Sequence, residues 1–197
     1  MYRPAGSLSH EAIVITVPDP LVDYRQQLLR QGYTLAPATV ADGEVLLTLF
    51  ASTHLAMQVL SQSFGWSDAA RLEYVRLQCH CQERAYRGAG YAGAWLDLVR
   101  WAGHVVGRLY LLHRPGEQLR LLDITLLPEY RGQGHGTALL RTLQTEASRI
   151  ATPLIALVEK ENPACHFYTR LGFFPTDPDP ELPFHQTWQW SPPSRIS

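Results

Sequence analysis

The chain has 197 residues, of which 46% are hydrophobic and 18% are charged, so we expect one domain with a substantial core, with or without an extension. The formal net charge of −1 argues against a nucleic-acid partner, and the absence of a bilayer-length apolar run or a signal-peptide pattern argues against a membrane. Three cysteines form no disulfide framework, which predicts a reducing, cytoplasmic environment.

The first 32 residues have the weakest pattern. Residues 12–17 (AIVITV) indicate a strand, and Asp19-Pro20 is a typical start for a short helix over 21–30. We treat 1–32 as an N-terminal extension, 33–191 as the main domain and 192–197 as a frayed tail. The extension is an added strand and helix, a dimerisation arm that would make the protein a homodimer, or a loosely attached terminus.

From Tyr33 a strand is followed by helical patterns. Thr39 and Asp42 resemble a capping box before the helix that follows this strand. Ser67 is a typical N-cap for a second, long helix that ends near Arg87. Residues 53–66, apolar and nearly uncharged, fit either a helix or a loop. The expected buried stripe of the long helix is Leu72, Val75, Cys79 and Tyr86.

Cys79, His80 and Cys81 raise the question of a metal site. Neighbouring residues on a helix point in different directions, and no second ligand pair at metal spacing occurs elsewhere. We therefore expect no metal.

Three strands follow, over 94–101, 104–113 and 119–127. Their short connections predict an antiparallel meander. Beyond the third strand, leucines at helical spacing predict a long helix to about residue 149, and a short buried strand covers 154–158.

The C-terminal part alternates helix and strand. Asn162-Pro163 predicts a helix start, with Asn as N-cap, and Gly172 predicts its end. Strands are expected from Phe173 and over 185–190.

A glycine-rich turn, Arg131-Gly132-Gln133-Gly134-His135-Gly136, joins the third strand of the meander to the long helix. Such a turn aims backbone N–H groups into one concavity, and the helix adds its unpaired N–H groups and the positive end of its dipole. The pattern therefore predicts a site for phosphate or pyrophosphate. Gly134 and Gly136 lack Cβ atoms, so the backbone can close on a ligand.

Three glycine motifs compete for this turn, besides an ordinary surface loop. A P-loop requires a lysine that the turn does not have, and a dinucleotide fingerprint requires a third glycine where Thr137 stands. The third motif, Arg-x-x-Gly-x-Gly after a strand, resembles the coenzyme A pyrophosphate loop of the GNAT family of N-acetyltransferases.

A second motif and the order of elements strengthen this resemblance. Asn162-Pro163-Ala164, Phe167-Tyr168 and Leu171-Gly172-Phe173 match the family's second motif. From Tyr33 the predicted order, β, α, α, β, β, β, α, β, α, β, β, resembles the whole GNAT fold. The resemblance implies an α+β protein with α/β/α layers and a mixed, mostly antiparallel sheet, splayed between its fourth and fifth strands.

The resemblance also implies a donor, acetyl-coenzyme A. Main-chain amides of the glycine turn would bind its pyrophosphate, and its pantetheine arm would lie beside the strand at 124–126, where a backbone N–H near Leu126 would face the thioester carbonyl. Asn162 would contact the arm or order a water. The implied donor-binding residues are Ile124, Thr125, Leu126, Arg131, Gly132, Gln133, Gly134, His135, Gly136, Thr137, Asn162 and Tyr168.

Three residues are the catalytic candidates. Tyr168 would protonate the departing thiolate, unless it is an ordinary aromatic residue of a helix face. Asp123 is the first candidate base, because a carboxylate among leucines is costly unless it is paired or used. Its alternative role is a structural bond to a neighbouring element. Glu159 is the second candidate, with a solvated loop charge as its alternative.

Two function classes remain open from the sequence. The first is an enzyme that transfers an acetyl group to a primary amine, and the second is a non-catalytic module that binds acyl-coenzyme A. Family members that acetylate ribosomal proteins tend to carry a glutamate where this chain has Ala156 or Leu157. Because 53–66 and 88–93 are nearly uncharged, we expect a small or amphiphilic amine as the acceptor.

Overall fold

The structure is a computed structural model that describes residues 22–53, 65–178, 180 and 183–193. The predicted strand at 12–17, the start of the first helix at 19–20 and most of segment 53–66 lie outside the described residues. The helices are α1 (Val22–Arg30), α2 (Gly43–Thr53), α3 (Asp68–Tyr86), α4 (His135–Arg149) and α5 (Ala164–Arg170). The strands are β1 (Tyr33–Pro37), β2 (Trp95–Trp101), β3 (His104–Arg114), β4 (Gln118–Leu126), β5 (Leu154–Glu159), β6 (Phe174–Pro175) and β7 (His185–Trp190).

Local signals in the sequence set several of these boundaries. The Ser67 hydroxyl accepts a hydrogen bond from the N–H of Ala70 at 3.2 Å, as expected of an N-cap for α3. The Asp42 carboxylate accepts from the N–H of Thr39 at 2.8 Å, which completes the capping box before α2. Gly172 ends α5 with a φ of +79°, a conformation that glycine adopts without strain.

The seven strands form one mixed sheet in the order β1-β2-β3-β4-β5-β7-β6. Neighbouring strands are antiparallel except β4 and β5, which are parallel. Only Leu119, Arg120 and Leu121 of β4 have partners on β5, and beyond them the strands separate. The predicted splay between the fourth and fifth strands is therefore confirmed.

Helices cover both faces of the sheet, which confirms the layered α/β/α arrangement. On one face, leucines of α4 pack with the sheet in the main core, and α1 contributes the fully buried Tyr24 and Leu28 to the same core. On the other face, α2 packs against the sheet through Leu46 and Leu49, and α3 packs on α2 through Val75 and Cys79. The helix before β1 is thus an integral part of the packed core.

One core prediction is wrong. Leu72 was expected in the buried stripe of α3, but it is 48% exposed, whereas Val75 and Cys79 are buried. Among the described residues, α3 packs on α2 through Val75 and Cys79, and Leu72, one turn nearer the start of α3, lies outside that contact. Within the described part of the chain, no helix has the length and apolarity needed to cross a bilayer.

Candidate active site

A cleft of about 390 Å³ opens where β4 and β5 separate. Its walls come from both strands, from α3 on one side and from α5 on the other. The lining residues include Gln82, Tyr86, Tyr91, Arg120, Leu122, Asp123, Ile124, Thr125, Leu157, Glu159, Asn162, Tyr168 and His185. The cleft thus contains all three catalytic candidates as well as Ile124, Thr125 and Asn162 of the predicted donor-binding set.

Among the described residues, the edge of β4 that faces the gap has no partner strand beyond Leu121. A bulge at this point, opposite Tyr110 and Leu111 of β3, changes the register of β4. Further along, the carbonyl of Leu126 accepts a hydrogen bond from Nε of Arg131 at 2.9 Å. Ile124 and its neighbours therefore offer a strand edge to which an extended ligand can add.

The glycine turn follows β4 directly and leads into α4. Gly132 and Gly134 have positive φ values of +73° and +89°, and a Cβ built on either would meet no atom within 4 Å. At these two positions the turn is therefore open and presents backbone without a side chain. Gln133 anchors it through a hydrogen bond to the carbonyl of Glu129 at 2.6 Å.

The side chain of Arg131 fastens the start of the turn to two other elements. Besides Leu126, it donates to the Ser52 hydroxyl at the end of α2 at 2.6 Å. Because the guanidinium is already bonded within the chain, its evident function in this structure is to position the turn.

Two residues of the turn, His135 and Gly136, contact the protein interior. The His135 side chain is buried, and its Nδ1 lies 2.7 Å from the Tyr33 hydroxyl. Gly136 is packed close to α5, since an added Cβ would come within 3.2 Å of the Phe167 ring. Gly136 therefore serves helix packing, and only the backbone of His135 is available to a ligand.

Tyr168 is buried on α5, but it lines the cleft. Its ring packs against Phe173 and Trp188, and its hydroxyl has no hydrogen-bond partner among the residues described. Burial first, and then the negative charge of Asp123, raise the pKa of Tyr168. The phenol is therefore a neutral proton donor at physiological pH.

Asn162 caps α5 as the sequence predicted. Its side-chain oxygen accepts from the N–H of Ala164 at 2.9 Å, and its carbonyl accepts from the N–H of Cys165 at 3.0 Å. The assigned helix begins at Ala164, a difference of the usual size at helix ends. Since Asn162 also lines the cleft, the cap places its amide group beside the gap.

Asp123 belongs to a buried ionic network. Arg108, fully buried on β3, donates to Asp123 at 2.6 Å, to Glu83 at 2.9 Å and to Gln82 at 2.8 Å. The second oxygen of Asp123 accepts from the Thr125 hydroxyl at 2.7 Å. Burial lowers the pKa of Arg108, but the charge and hydrogen bond of Asp123 outweigh this, so the net effect is a raised pKa. The structural pairing considered for Asp123 is therefore present.

Glu159 is exposed at the end of β5, where its register partner is His185 of β7. It lines the cleft, and its side chain has no ion pair among the described residues. No group of three or more potential metal ligands occurs in the described part of the chain.

Sequence reasoning missed several residues in or behind the cleft. Gln82 and Tyr86 of α3 and Arg120 of β4 line it, and Arg108 of β3 lies buried behind Asp123. Tyr86 donates a hydrogen bond to the carbonyl of Leu122 at 3.2 Å, which ties α3 to the bulge. The sequence feature that could have revealed the ionic network is Arg108 itself, because it is a charged residue at an inward position of an apolar strand.

Comparisons with solved structures agree with this geometry. The chain is similar to the PaiA N-acetyltransferase from Thermoplasma acidophilum in complex with coenzyme A, with 15% identity, a TM-score of 0.55 and coverage of 81% of this chain and 98% of that one. For an acetyltransferase from Thermus thermophilus the identity is 19%, the TM-score 0.56 and the coverage 81% and 96%. For the ribosomal-protein-S18-alanine N-acetyltransferase from Escherichia coli these values are 18%, 0.51, 84% and 96%.

At these identities the structural likeness establishes the fold alone. No curated protein matches the chain. The profile of the acetyltransferase (GNAT) family, however, matches residues 55–173, which is more than half of the sequence. That match includes β4, the glycine turn, α4, β5 and α5. The chain belongs to the GNAT family of acetyltransferases.

Proposed function

We propose that the protein transfers an acetyl group from acetyl-coenzyme A to a primary amine, by direct attack of the amine in a ternary complex. One observation carries this proposal: the edge of β4 beyond Leu121 lines the cleft that contains Tyr168, and the open glycine turn follows the end of β4 directly. A donor with a pyrophosphate at one end and a thioester at the other fits that sequence of features.

The donor would be bound mainly by backbone. Main-chain amides over 132–137, with the N-terminus of α4 behind them, suit the doubly charged pyrophosphate. The free edge of β4 over 124–126 suits the amide-bearing pantetheine arm, which would pair with it like an added strand. Asn162, which also lines the cleft, would contact the arm.

The chemistry requires two proton transfers. A new C–N bond forms as the amine attacks the thioester carbon, and the C–S bond breaks. Tyr168 would give its proton to the departing sulfur, a function that suits a neutral, partly desolvated phenol facing the cleft. A backbone N–H of β4 would stabilise the negative charge that develops on the carbonyl oxygen.

The amine must lose a proton to a base, and two carboxylates of the cleft are the candidates. Glu159 is exposed, without an ion pair in the described structure, and therefore free to accept a proton directly or through water. Asp123 is already bonded to Arg108 and Thr125, which reduces its capacity as an acceptor. We therefore propose Glu159 as the base, with Asp123 as the alternative.

The proposal is tested by thiol release from acetyl-coenzyme A in the presence of a panel of primary amines, with calorimetric titration of coenzyme A alongside. We expect amine-dependent thiol release and saturable binding of coenzyme A. Tight binding of coenzyme A without turnover on any amine would instead support a non-catalytic sensor. Absence of both would contradict the proposal entirely.

A further inference from the structure

Arg120 is a cationic side chain of the cleft that the described residues leave without a partner. It lies near the start of β4, is partly buried, and makes no hydrogen bond or ion pair with any described residue. The other arginines near the cleft have partners within the chain: Arg108 is paired with carboxylates, and Arg131 is bonded to Ser52 and a carbonyl. A partly buried charge without a partner is costly unless a ligand supplies one.

The position of Arg120 distinguishes it from the donor-binding part of the cleft. The parallel strands begin in register, with Arg120 opposite Ile155. Asp123 and the donor-binding edge of β4 follow, and Glu159 comes four residues beyond Ile155 on β5. At about 3.3 Å per residue, Glu159 lies roughly 13 Å further along the cleft than Arg120. The pyrophosphate turn is further still in the same direction, after the end of β4.

The charged side chains of the cleft are therefore arranged in order along it, with a cation at one end and carboxylates toward the other. On the side of α3 and β3, Glu83 and Arg108 neutralise each other within the ionic network. His185 of β7 is beside Glu159 in the register. Of the described lining residues, Arg120 is the one cation not bonded within the chain, and the carboxylates of Asp123 and Glu159 lie toward the thioester end.

We propose that the acceptor is an amine that also carries a carboxylate, bound with its carboxylate at Arg120 and its amine toward Glu159 and Asp123. This inference rests on the proposed function and specifies its substrate class. A guanidinium is well matched to a carboxylate, which it can bind through two parallel hydrogen bonds. The ammonium form of the same ligand would be attracted to the acidic end before it loses its proton.

Two matched pairs of acceptors test the proposal: phenylalanine with 2-phenylethylamine, and 6-aminohexanoate with pentylamine. The members of each pair differ only in the carboxylate. We expect kcat/KM of the native protein to favour the carboxylate in at least one pair by about 10- to 100-fold, the range of a hydrogen-bonded charge pair. The Arg120→Met variant should lose that preference and keep its KM for acetyl-coenzyme A.

Two further variants separate a specific contact from general charge. Arg120→Lys keeps the positive charge but cannot form two parallel hydrogen bonds, so it should retain part of the preference for the carboxylate. Arg141→Met removes a charge from the exposed face of α4, outside the cleft, and should leave the preference intact. The proposal would be overturned if the native protein preferred the amine without a carboxylate in both pairs, or if Arg120→Met kept the preference of the native protein.

A binding measurement makes the result independent of turnover. N-acetylphenylalanine and N-acetyl-2-phenylethylamine are titrated into the native protein and Arg120→Met, each saturated with coenzyme A. We expect the native protein to bind N-acetylphenylalanine more tightly than N-acetyl-2-phenylethylamine, and Arg120→Met to show no such difference. If no amine is acetylated but this difference is found, the proposed function fails and the carboxylate site stands. If neither titration depends on Arg120, the carboxylate site fails, whatever the turnover.

Discussion

The two ends of the cleft are built in different ways. At the proposed donor end, one short run of chain over 131–137 follows β4 and contains Gly132 and Gly134, where an added Cβ would meet no described atom within 4 Å. At the proposed acceptor end, the walls are side chains from α3, β4 and β5, and Asp123 is held in place by a fully buried arginine of β3. Backbone recognition is local in the sequence, whereas the acceptor wall exists only after distant elements have packed together.

This difference predicts that the two ends respond differently to substitution. Changes at Gly132 and Gly134 should affect affinity for the donor with little effect on folding, because no described residue packs against them. Changes in the ionic network should affect folding first, because buried charges depend on each other for solvation. The predictions below test that separation, beginning with the largest expected effect.

Replacing Arg108 by Met should destabilise the fold by about 3–5 kcal/mol, because Asp123 would then lose its cation in a poorly solvated site and Glu83 would keep only Arg87 as an ionic partner. Chemical denaturation measures the change. Arg76→Met is the matched control, since its ion pair with Glu44 at 3.3 Å is well exposed and should contribute less than about 1 kcal/mol. Equal stability of the two variants would show that the network does not support the fold.

Replacing Gly134 by Asp should weaken coenzyme A binding by roughly 100- to 1000-fold, because a carboxylate next to the pyrophosphate costs several kcal/mol. Calorimetric titration gives the affinity. Gly116→Asp is the control, since Gly116 also has a positive φ, +76°, with no atom within 4 Å of an added Cβ, and lies in the turn between β3 and β4. Both variants bear the same backbone strain, so native affinity in Gly134→Asp would refute the pyrophosphate site.

Replacing Tyr168 by Phe should lower kcat by roughly 100-fold while the affinity for coenzyme A stays close to native, because only the proton donor is removed. Since burial and Asp123 raise the pKa of Tyr168, the phenol keeps its proton above pH 10, where an ordinary tyrosine ionises. The kcat of the native protein should therefore show no fall from Tyr168 ionisation at about pH 10. An unchanged kcat in the variant would remove Tyr168 from the mechanism.

The two candidate bases are separated by Glu159→Gln and Asp123→Asn, compared by the pH dependence of kcat/KM. A base loses its function when protonated, so the rate falls toward acidic pH. We expect Glu159→Gln to lower the rate by roughly 100-fold at neutral pH and to change the acidic limb. Asp123→Asn should mainly reduce the free energy of unfolding, because Arg108 would lose its ion pair with Asp123. The reverse pattern would make Asp123 the base.

The smallest effect is expected at Gly107 of β3. An added Cβ would lie 2.3 Å from the carbonyl oxygen of Thr125, so Gly107→Ala must push β3 away from β4 beside the donor edge. We expect a loss of about 1–3 kcal/mol, typical of overpacking, measured by thermal unfolding. Gly43→Ala, in open space at the start of α2, should be neutral or slightly stabilising. A stable Gly107→Ala variant would contradict the close approach of the two strands.

The same contrast explains what the sequence could predict. The glycine turn, the caps at Ser67 and Asn162, and the order of elements follow from short patterns, and the structure agrees with them. Leu72 was misassigned because helical periodicity does not tell how far a neighbouring helix extends. The inward function of Gly136 was missed because its contact, Phe167, is on another helix.

The acceptor wall could not be predicted for a related reason. Because Asp123 is a charge among leucines, the sequence predicted that it has either an ionic partner or a catalytic function. The same argument applied to Arg108 would have suggested that Arg108 and Asp123 form a pair. Nothing local, however, connects Gln82 or Tyr86 with β4, because they are about 40 residues away in the sequence and meet it only through the fold. Arg120 became informative only when its lack of a partner could be seen.

The most direct test of the account is a crystal structure of the protein with coenzyme A. We predict that pyrophosphate oxygens lie within hydrogen-bond distance, about 2.7–3.2 Å, of backbone nitrogens over 132–137, with the pantetheine arm along β4 between residues 124 and 126. A pyrophosphate bound elsewhere, or an arm that does not enter the gap between β4 and β5, would contradict it.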